Sequence, residues 1–362
     1  WPREAYATIA EYAKSAGARA VVFDWLFQDR GQYSVADAEV FAEVMKTAGN
    51  AVIGLALSKT QVNLRRRTGA WAARLATLPD RATADRLALA LSAWNIDSFL
   101  LGPGGNEVWV GGRPSQEDLA AQWQRIASNE ELTRLLPGPM ADDAGGRTLT
   151  DAEQAGRFSI ERLIAERDGL DAAGVRLTEF PHMDPPLAVL AAAPAHMGVV
   201  YQLPEPDGII RRHAPLMAHH GRAYPSLALA AYWAAHPGAP PRVSGNRLHI
   251  GDRAIPLDEQ GRFAMRFYGK DPYRRFSAYE VMRSSVMVTE GTEPSVPAAA
   301  LQGKYVLVIA GGQALRDVRA SAVAVAHEGA VIQANALDNL LGATTIVRSA
   351  RWLDATIALF IA

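Results

Sequence analysis

The sequence predicts an α/β protein with a central mixed sheet, and three observations carry the prediction. Near the start, amphipathic helices alternate with apolar runs of strand length: a helix over 2–16, a run over 19–27, a helix over 36–48 and a run over 51–57. Towards the other end, residues 305–310 form an unbroken apolar run rich in β-branched residues, closed by Gly311 and Gly312 and followed by a helix-patterned segment at 331–341. Between these blocks, short apolar runs up to about residue 267 are separated by turn residues, the pattern of antiparallel strands. The expectation is a sheet with parallel strands from both chain ends, an antiparallel portion, and helices on both faces.

The first helix starts with Pro2 in a first-turn position, where a missing N–H costs nothing, and presents Tyr6, Ile9, Ala10, Ala13 and Ala16 on one side before Gly17. The strand RAVVFDWLF follows, with Asp24 near its C-terminal end. The helix over 36–48 stops at Gly49, and the second strand over 51–57 is wholly apolar. Residues 59–181 read as a mostly helical insertion. It carries Arg65, Arg66 and Arg67 beside Trp71, a helix over 115–136 opened by Ser115 and closed before Pro137, a Gly- and Asp-rich break, and a helix over 150–167. The arginine triplet reads as a solvated helix face or as a grip for an anionic ligand or lipid head group.

After Pro185 comes a small-residue helix, a strand over 198–203, a turn at Pro206, Asp207 and Gly208, and a returning strand over 209–217, which together read as a hairpin. An apolar helix over 224–235 follows. Residues 242–267 alternate in polarity, as antiparallel strands on one edge of the sheet would, and residues 273–282 contain a short helix. The run 305–310 reads as a strand buried on both faces. In the last helix Val331, Ala334, Leu337, Leu340 and Leu341 recur at spacings of three and four, Asn335, Asp338 and Asn339 flank the stripe, and Gly342 marks its end.

Several of these segments also carry a likeness. GKYVLVI, the glycine pair, LRDVRAS and GAVIQANALDNLL together resemble the closing motif of the type-two CHASE domain, the extracytoplasmic sensory module of bacterial cyclases and histidine kinases. AGARAVVFDWLF and GNAVIGLAL are similar to the opening of the same domain. The stretch from Asp207 to Arg212, followed by a proline and serine that open an apolar helix, is similar to its internal motif. The likeness covers about 1–57 and 185–350. It implies a sensory domain in two parts, 1–58 and 182–350, interrupted by the insertion 59–181, with 351–362 as the start of a transmembrane helix. It further implies a non-catalytic, homodimeric signal-input domain. That domain stands in the periplasm or extracellular space at the inner membrane, receives a small-molecule or envelope signal, and regulates a cytoplasmic cyclase or kinase.

Bulk properties bound the alternatives. With 37 basic and 38 acidic residues the net charge is −1, which advertises neither nucleic acid nor an anionic membrane surface, and no nucleic-acid partner is expected. The absence of cysteine removes disulfides, thiolate metal sites and cysteine nucleophiles, and it suits an oxidising compartment as well as the cytoplasm. The run ATIALFIA at 355–362 is too short to cross a bilayer, which takes about 20 helical residues; it reads as a final buried element or as the beginning of a longer membrane segment.

Chemistry-bearing residues are few. No glycine-framed serine and no phosphate loop occur, and the adjacent His219 and His220 diverge too much to chelate, so no metal or cofactor is expected. A carboxylate inside a buried strand costs several kcal/mol unless paired, so Asp24 must emerge at the strand end or meet a cation from Arg211, Arg212, Arg316 or Arg319. If the strands around 19–24 and 305–310 are neighbours, Asp24 shares the carboxyl edge of the sheet with Gly311, Gly312, Arg316, Asp317 and Arg319. Doubly wound folds bind ligands at such an edge, and a structural ion pair sits there equally well. Asn335, Asp338 and Asn339 are candidates for a subunit interface and for signal transmission. Two other readings stand beside the sensor: a free-standing α/β enzyme or soluble binding protein, and a purely structural module.

Overall fold

The computed structural model describes residues 1–28, 35–59, 70–94, 96–154, 156–172, 174–310, 317–342 and 344–346. Its first block contains helix α1 (Arg3–Ser15), strand β1 (Ala20–Phe23), helix α2 (Val35–Ala48) and strand β2 (Ala51–Ser58). β1 and β2 are parallel, with Val21 opposite Ala51 and Phe23 opposite Ile53. Asp37, from the first turn of α2, receives the backbone N–H groups of Arg3 at 2.7 Å and Glu4 at 2.8 Å. The second helix thereby caps the start of the first, satisfying donors that a helix start leaves over.

The insertion holds β3 (Trp71–Thr77), α3 (Arg81–Ala93), β4 (Ser98–Leu101), β5 (Glu107–Arg113), α4 (Gln116–Ala127), α5 (Glu130–Thr133), β6 (Arg147–Thr148), α6 (Asp151–Gln154), β7 (Arg157–Phe158) and α7 (Ile160–Asp168). Its strands form an antiparallel sheet in the order β6-β3-β5-β4-β7. More of these residues are helical than extended, but the organising element is a sheet, which the expectation of a mostly helical insertion left out. Leu87, Leu91, Leu119, Trp123 and Ile126 of α3 and α4 pack with Val108 and Val110 of β5 in a core of their own. The helices expected over 115–136 and 150–167 are each interrupted, the first by Ser128 and Asn129, the second by β7. The Arg65 to Arg67 triplet lies outside the described residues.

The last block begins with β8 (His182–Asp184), α8 (Ala188–Ala191) and β9 (His196–Val199), continues with β10 (Ile209–Ile210), β11 (Arg212–His213), β12 (Leu216–His219), β13 (Arg222–Pro225) and α9 (Leu227–Ala234), and then β14 (Arg242–Ser244), β15 (Arg247–Ile250), β16 (Arg253–Pro256) and β17 (Phe263–Ala264). It ends with α10 (Ala278–Thr289), α11 (Ala298–Leu301), β18 (Tyr305–Val308), β19 (Val318–Ser321), β20 (His327–Glu328) and α12 (Gly329–Gly342). The central sheet runs β18-β1-β2, with β9 parallel and β8 antiparallel along successive stretches of β2. Strands from both chain ends are therefore parallel neighbours, Ala20 opposite Tyr305 and Phe23 opposite Val308.

Alternation along these strands builds two cores. Val21, Phe23, Ile53, Leu55, Val306 and Val308 face α1, α2 and α10, while Ala20, Val22, Val52, Tyr305 and Leu307 face α9 and α12. All eight residues of α9 are buried, because it is covered by the sheet on one side and by α12 on another. Gly198 in β9 permits that contact: a Cβ there would lie 2.4 Å from the Leu227 Cα.

Three expectations are corrected. The strands β14, β15 and β16 form a separate antiparallel sheet instead of extending the central one. Their apolar side, Leu248, Ile250 and Ile255, is spent on the α9/α12 core. The turn at 205–209 forms, with Glu205 N–H donating to Ile209 O at 3.0 Å, yet its flanks do not pair. β9 joins β2, and β10 lies parallel to β19. Finally, β18 packs against a core on each face, as its apolar run implies, but as an edge strand of the described sheet its residues are only half-buried.

Candidate functional site

β1 ends at Phe23, and Asp24 is fixed there by its N–H, which donates to Val308 O at 3.0 Å across the β1–β18 pair. Its side chain borders a cavity of about 210 Å³ that Val200, Asp317, Glu328 and Gly329 also line. This is the carboxyl edge of the parallel strands, where the sequence placed Asp24 and Asp317 together. Burial, and after it the charge of Asp317, raise the Asp24 carboxyl to a pKa of about 6.

The sequence left Asp24 to emerge at the strand end or to meet a cation; it emerges just past the end of β1, and among the described residues the charge that acts on it is that of a second carboxylate, Asp317. Arg319 binds Asp317, Nε to Oδ1 at 2.9 Å. Glu328 is taken by Arg275 at 2.7 Å, whose other nitrogen reaches Asp271 at 2.8 Å. Arg211 and Arg212 belong to a different cluster: both donate to Glu205, Arg211 also to Asp207 at 2.8 Å, and Arg212 lies 3.6 Å from Asp258. Gly311, Gly312 and Arg316 lie outside the described residues.

The amino end of α12 closes the cavity. Gly329 N–H donates to Asp317 O at 2.7 Å, and a Cβ on Gly329 would lie 2.8 Å from Asp317 Oδ2, so glycine permits this carboxylate's approach to the helix start. Two glutamines tie the same region together. Gln202 Nε2 donates to Gly329 O at 2.8 Å and Gln333 Nε2 to Val200 O at 3.1 Å, while the Oε1 atoms of both are buried with no donor among the described residues.

Along α12, Asn335 and Asn339 are wholly buried and bind the extended segment before α10. Asn335 Oδ1 accepts from Tyr268 N–H at 3.0 Å, and Asn339 Oδ1 accepts from Arg266 N–H at 2.8 Å. Asp338 accepts from the Tyr273 hydroxyl at 2.9 Å, and burial together with that carboxylate holds the phenol above its ordinary range. The three polar residues that flank the helical stripe therefore all bind one internal strap.

Sequence reasoning missed three further pairings. His213 Nε2 meets Ser226 Oγ at 2.8 Å, and burial lowers the histidine to a pKa of about 3. Ser321 Oγ meets His327 Nδ1 at 2.8 Å, also buried. Asp168, fully buried, binds Arg167 at 2.6 Å and His196 at 3.0 Å, and the His196 ring stacks on Trp233 at 3.9 Å. No local motif announces the two serine–histidine pairs or the Asp168–His196 pair, since their partners come from different elements, and Arg167 is merely the neighbour of Asp168 on α7. The two serine–histidine pairs are shut away from solvent, which leaves no path for a substrate. His219 is buried on Phe180 O at 2.8 Å and His220 sits at the β12–β13 turn, yet their ring centroids are 4.2 Å apart, so the two do not diverge as expected. Among the described residues, no group of three or more His, Asp or Glu is arranged to hold a metal ion.

Comparison with known families settles the class. The family model described as "CHASE2 domain" matches residues 1–362. The chain belongs to the CHASE2 family. CHASE2 domains are sensory domains of membrane receptors, extracellular or periplasmic, and this chain is accordingly a sensory rather than a catalytic domain. The match spans the insertion as well as the two blocks that carry the sequence likeness. No curated protein and no solved structure matches the chain. Among the described residues, no helix is long and apolar enough to cross a membrane.

Proposed function

We propose that this CHASE2 domain is the signal-input part of a bacterial transmembrane receptor, held at the inner membrane outside the cytoplasm and acting as a homodimer. It regulates a cytoplasmic nucleotide cyclase or kinase. The observation that carries the reading is the position of α12. Its first residues, Gly329 and Ala330, line the cavity beside Asp24, and the helix extends 14 residues to Gly342, a span of about 21 Å. Asn335, Asp338 and Asn339 lock it to the strap at 266–273, so a displacement at Gly329 is passed on by helix and strap together. A signal works here only by binding two poses of α12 with unequal affinity.

The test is the intact mass of the native polypeptide from its own host, with membrane and soluble fractions measured separately. A membrane-bound product well above 39.0 kDa is expected. A soluble product of that mass would overturn the receptor reading in favour of a free-standing binding protein. Sedimentation of the purified domain reads the homodimer directly.

A further inference from the structure

Helix α10 turns a face of mixed apolar and charged residues to solvent. Its inner side is spent on the fold. Val281 joins the core that α1 also lines, the buried Ser284 accepts the Val296 N–H at 2.9 Å, and Glu280 receives the Ser277 N–H at 3.0 Å at the helix start. Tyr279, Arg283, Val286 and Glu290 follow one another at spacings of four, three and four, which puts them together on one face. All four are exposed, Tyr279 at 62% and Val286 at 54%. Large apolar side chains gathered in this way on a surface mark a docking site. Arg283 and Glu290 make no ion pair among the described residues. Glu290 moreover stands at the carboxyl end of α10, where the helix dipole disfavours a negative charge, so the stability of the helix itself does not account for it.

The two charges decide what fits this face. They are opposite in sign and seven residues apart, about 10.5 Å along the helix axis. A second α10 laid antiparallel, about a two-fold axis between Val286 and Met287, sets Arg283 of each copy against Glu290 of the other and brings the apolar pair together at the centre. A parallel arrangement would set arginine against arginine and glutamate against glutamate, which repel. The face is therefore complementary to itself in one orientation, as a closed two-fold contact requires. Asn335, Asp338 and Asn339, which the sequence offered for a subunit interface, are engaged by the internal strap and leave that role to another surface.

We infer that two copies of this domain meet through the exposed face of α10, antiparallel, with Arg283 and Glu290 pairing across the two-fold axis. This names the surface of the homodimer and rests on that reading. Twelve residues of helix are about 18 Å long, so the contact buries less than the roughly 800 Å² per partner of a standard interface. The isolated domains therefore associate weakly, and anchoring both in one membrane raises their effective concentration.

The chain has no cysteine, so single cysteines report the contact directly. Under mild oxidation Val286→Cys is expected to form an intermolecular disulfide several times faster than Val325→Cys. Val325 is 91% exposed on the turn between β19 and β20, and its variant would react faster if random collision set the rate. Sedimentation of the unaltered 362-residue chain is expected to read a reversible dimer with a Kd of roughly 0.1 mM or tighter. Arg283→Glu and Glu290→Arg each weaken it about tenfold, since each places like charges in both pairs, whereas the double exchange recovers the parent affinity to within about threefold. Oxidation of Val286→Cys no faster than that of Val325→Cys, single reversals without effect, or a double exchange no better than either single would each overturn the proposal. The cysteine comparison stands even if a charge reversal perturbs α10. A dimer in sedimentation that ignores every change on α10 removes this face and leaves the homodimer standing. A chain that stays monomeric at every concentration removes both.

Discussion

The side-chain amide of Asn339 brackets the backbone of Arg266, accepting its N–H at 2.8 Å and donating to its carbonyl at 2.9 Å. A residue on a helix thus does for an extended segment what a neighbouring strand would do. Asn335 repeats half of the arrangement one turn earlier, at Tyr268. Because the strap carries these partners, it can lie on α12 without leaving peptide groups unsatisfied.

Asn339→Ala abandons both Arg266 groups at once. Unfolding in urea is expected to show a loss of about 2–4 kcal/mol. Asn339→Asp is expected to cost more, because it deletes the donor and buries a charge. Equal stability of parent and alanine variant would mean that α12 and the strap are not joined here.

Asp24 makes stability depend on pH in an unusual direction. Its folded pKa of about 6 lies above the ordinary 3.8, so the native state binds the extra proton between these values and stability falls as pH rises through them. The loss attributable to Asp24 is on the order of 2–3 kcal/mol by neutral pH. Asp24→Asn is expected to remove that part of the slope, read from urea midpoints at pH 4.5 and 7.5 against the parent. The effects of Asp24→Asn and Arg212→Ala should add, since the two residues belong to separate clusters.

His213 acts in the opposite sense. Its pKa of about 3 in the fold lies below the ordinary 6.5, so its stabilisation is complete above 6.5 and is lost as pH falls towards 3. The expected slope is roughly 1.4 kcal/mol per pH unit in that window. Burial keeps the ring neutral, and Ser226 Oγ, which also accepts the Leu229 N–H at 3.2 Å, gives His213 Nε2 a hydrogen-bond partner at 2.8 Å. His213→Phe, which has no proton to gain, is expected to flatten the slope in acid unfolding curves.

Gly198→Ala pushes a methyl group into the Leu227 backbone at the β9–α9 contact. Overpacking there is expected to cost about 2–3 kcal/mol in urea unfolding. A neutral result would show that α9 has freedom to move off the sheet.

How much of the structure is legible in the sequence differs by element. The parallel pairing of 19–24 with 305–310 can be argued, because both runs are continuously apolar and of strand length. The small sheet of β14 to β16 reads as three strands but draws the wrong neighbour, since alternation says that one face is covered and not by what. The edges of the insertion's sheet escape because β6 and β7 are only two residues each, too short to leave a period, while the seven-residue β3 and β5 are long enough to show and the expectation of a mostly helical insertion passed them over. At the site, Asp24 and Asp317 fall on one edge as expected, while the sequence does not tell that it is Asp317's charge that acts on Asp24. Gln202 and Gln333 carry no signal at all: a single glutamine looks the same whether it faces water or a buried carbonyl.

The sequence by itself determined the family, the α/β class, the parallel strands from both ends and the polar flank of the last helix. These depend on local periodicity and on motifs that each lie within one stretch of chain. Only the tertiary structure decided that Arg211 and Arg212 serve Glu205, that Asn335 and Asn339 are clamps, and that Asp24 faces a carboxylate across an open cavity. Those outcomes depend on which groups meet after folding. For charges and amides, the identity of the neighbour sets both the sign and the size of the interaction.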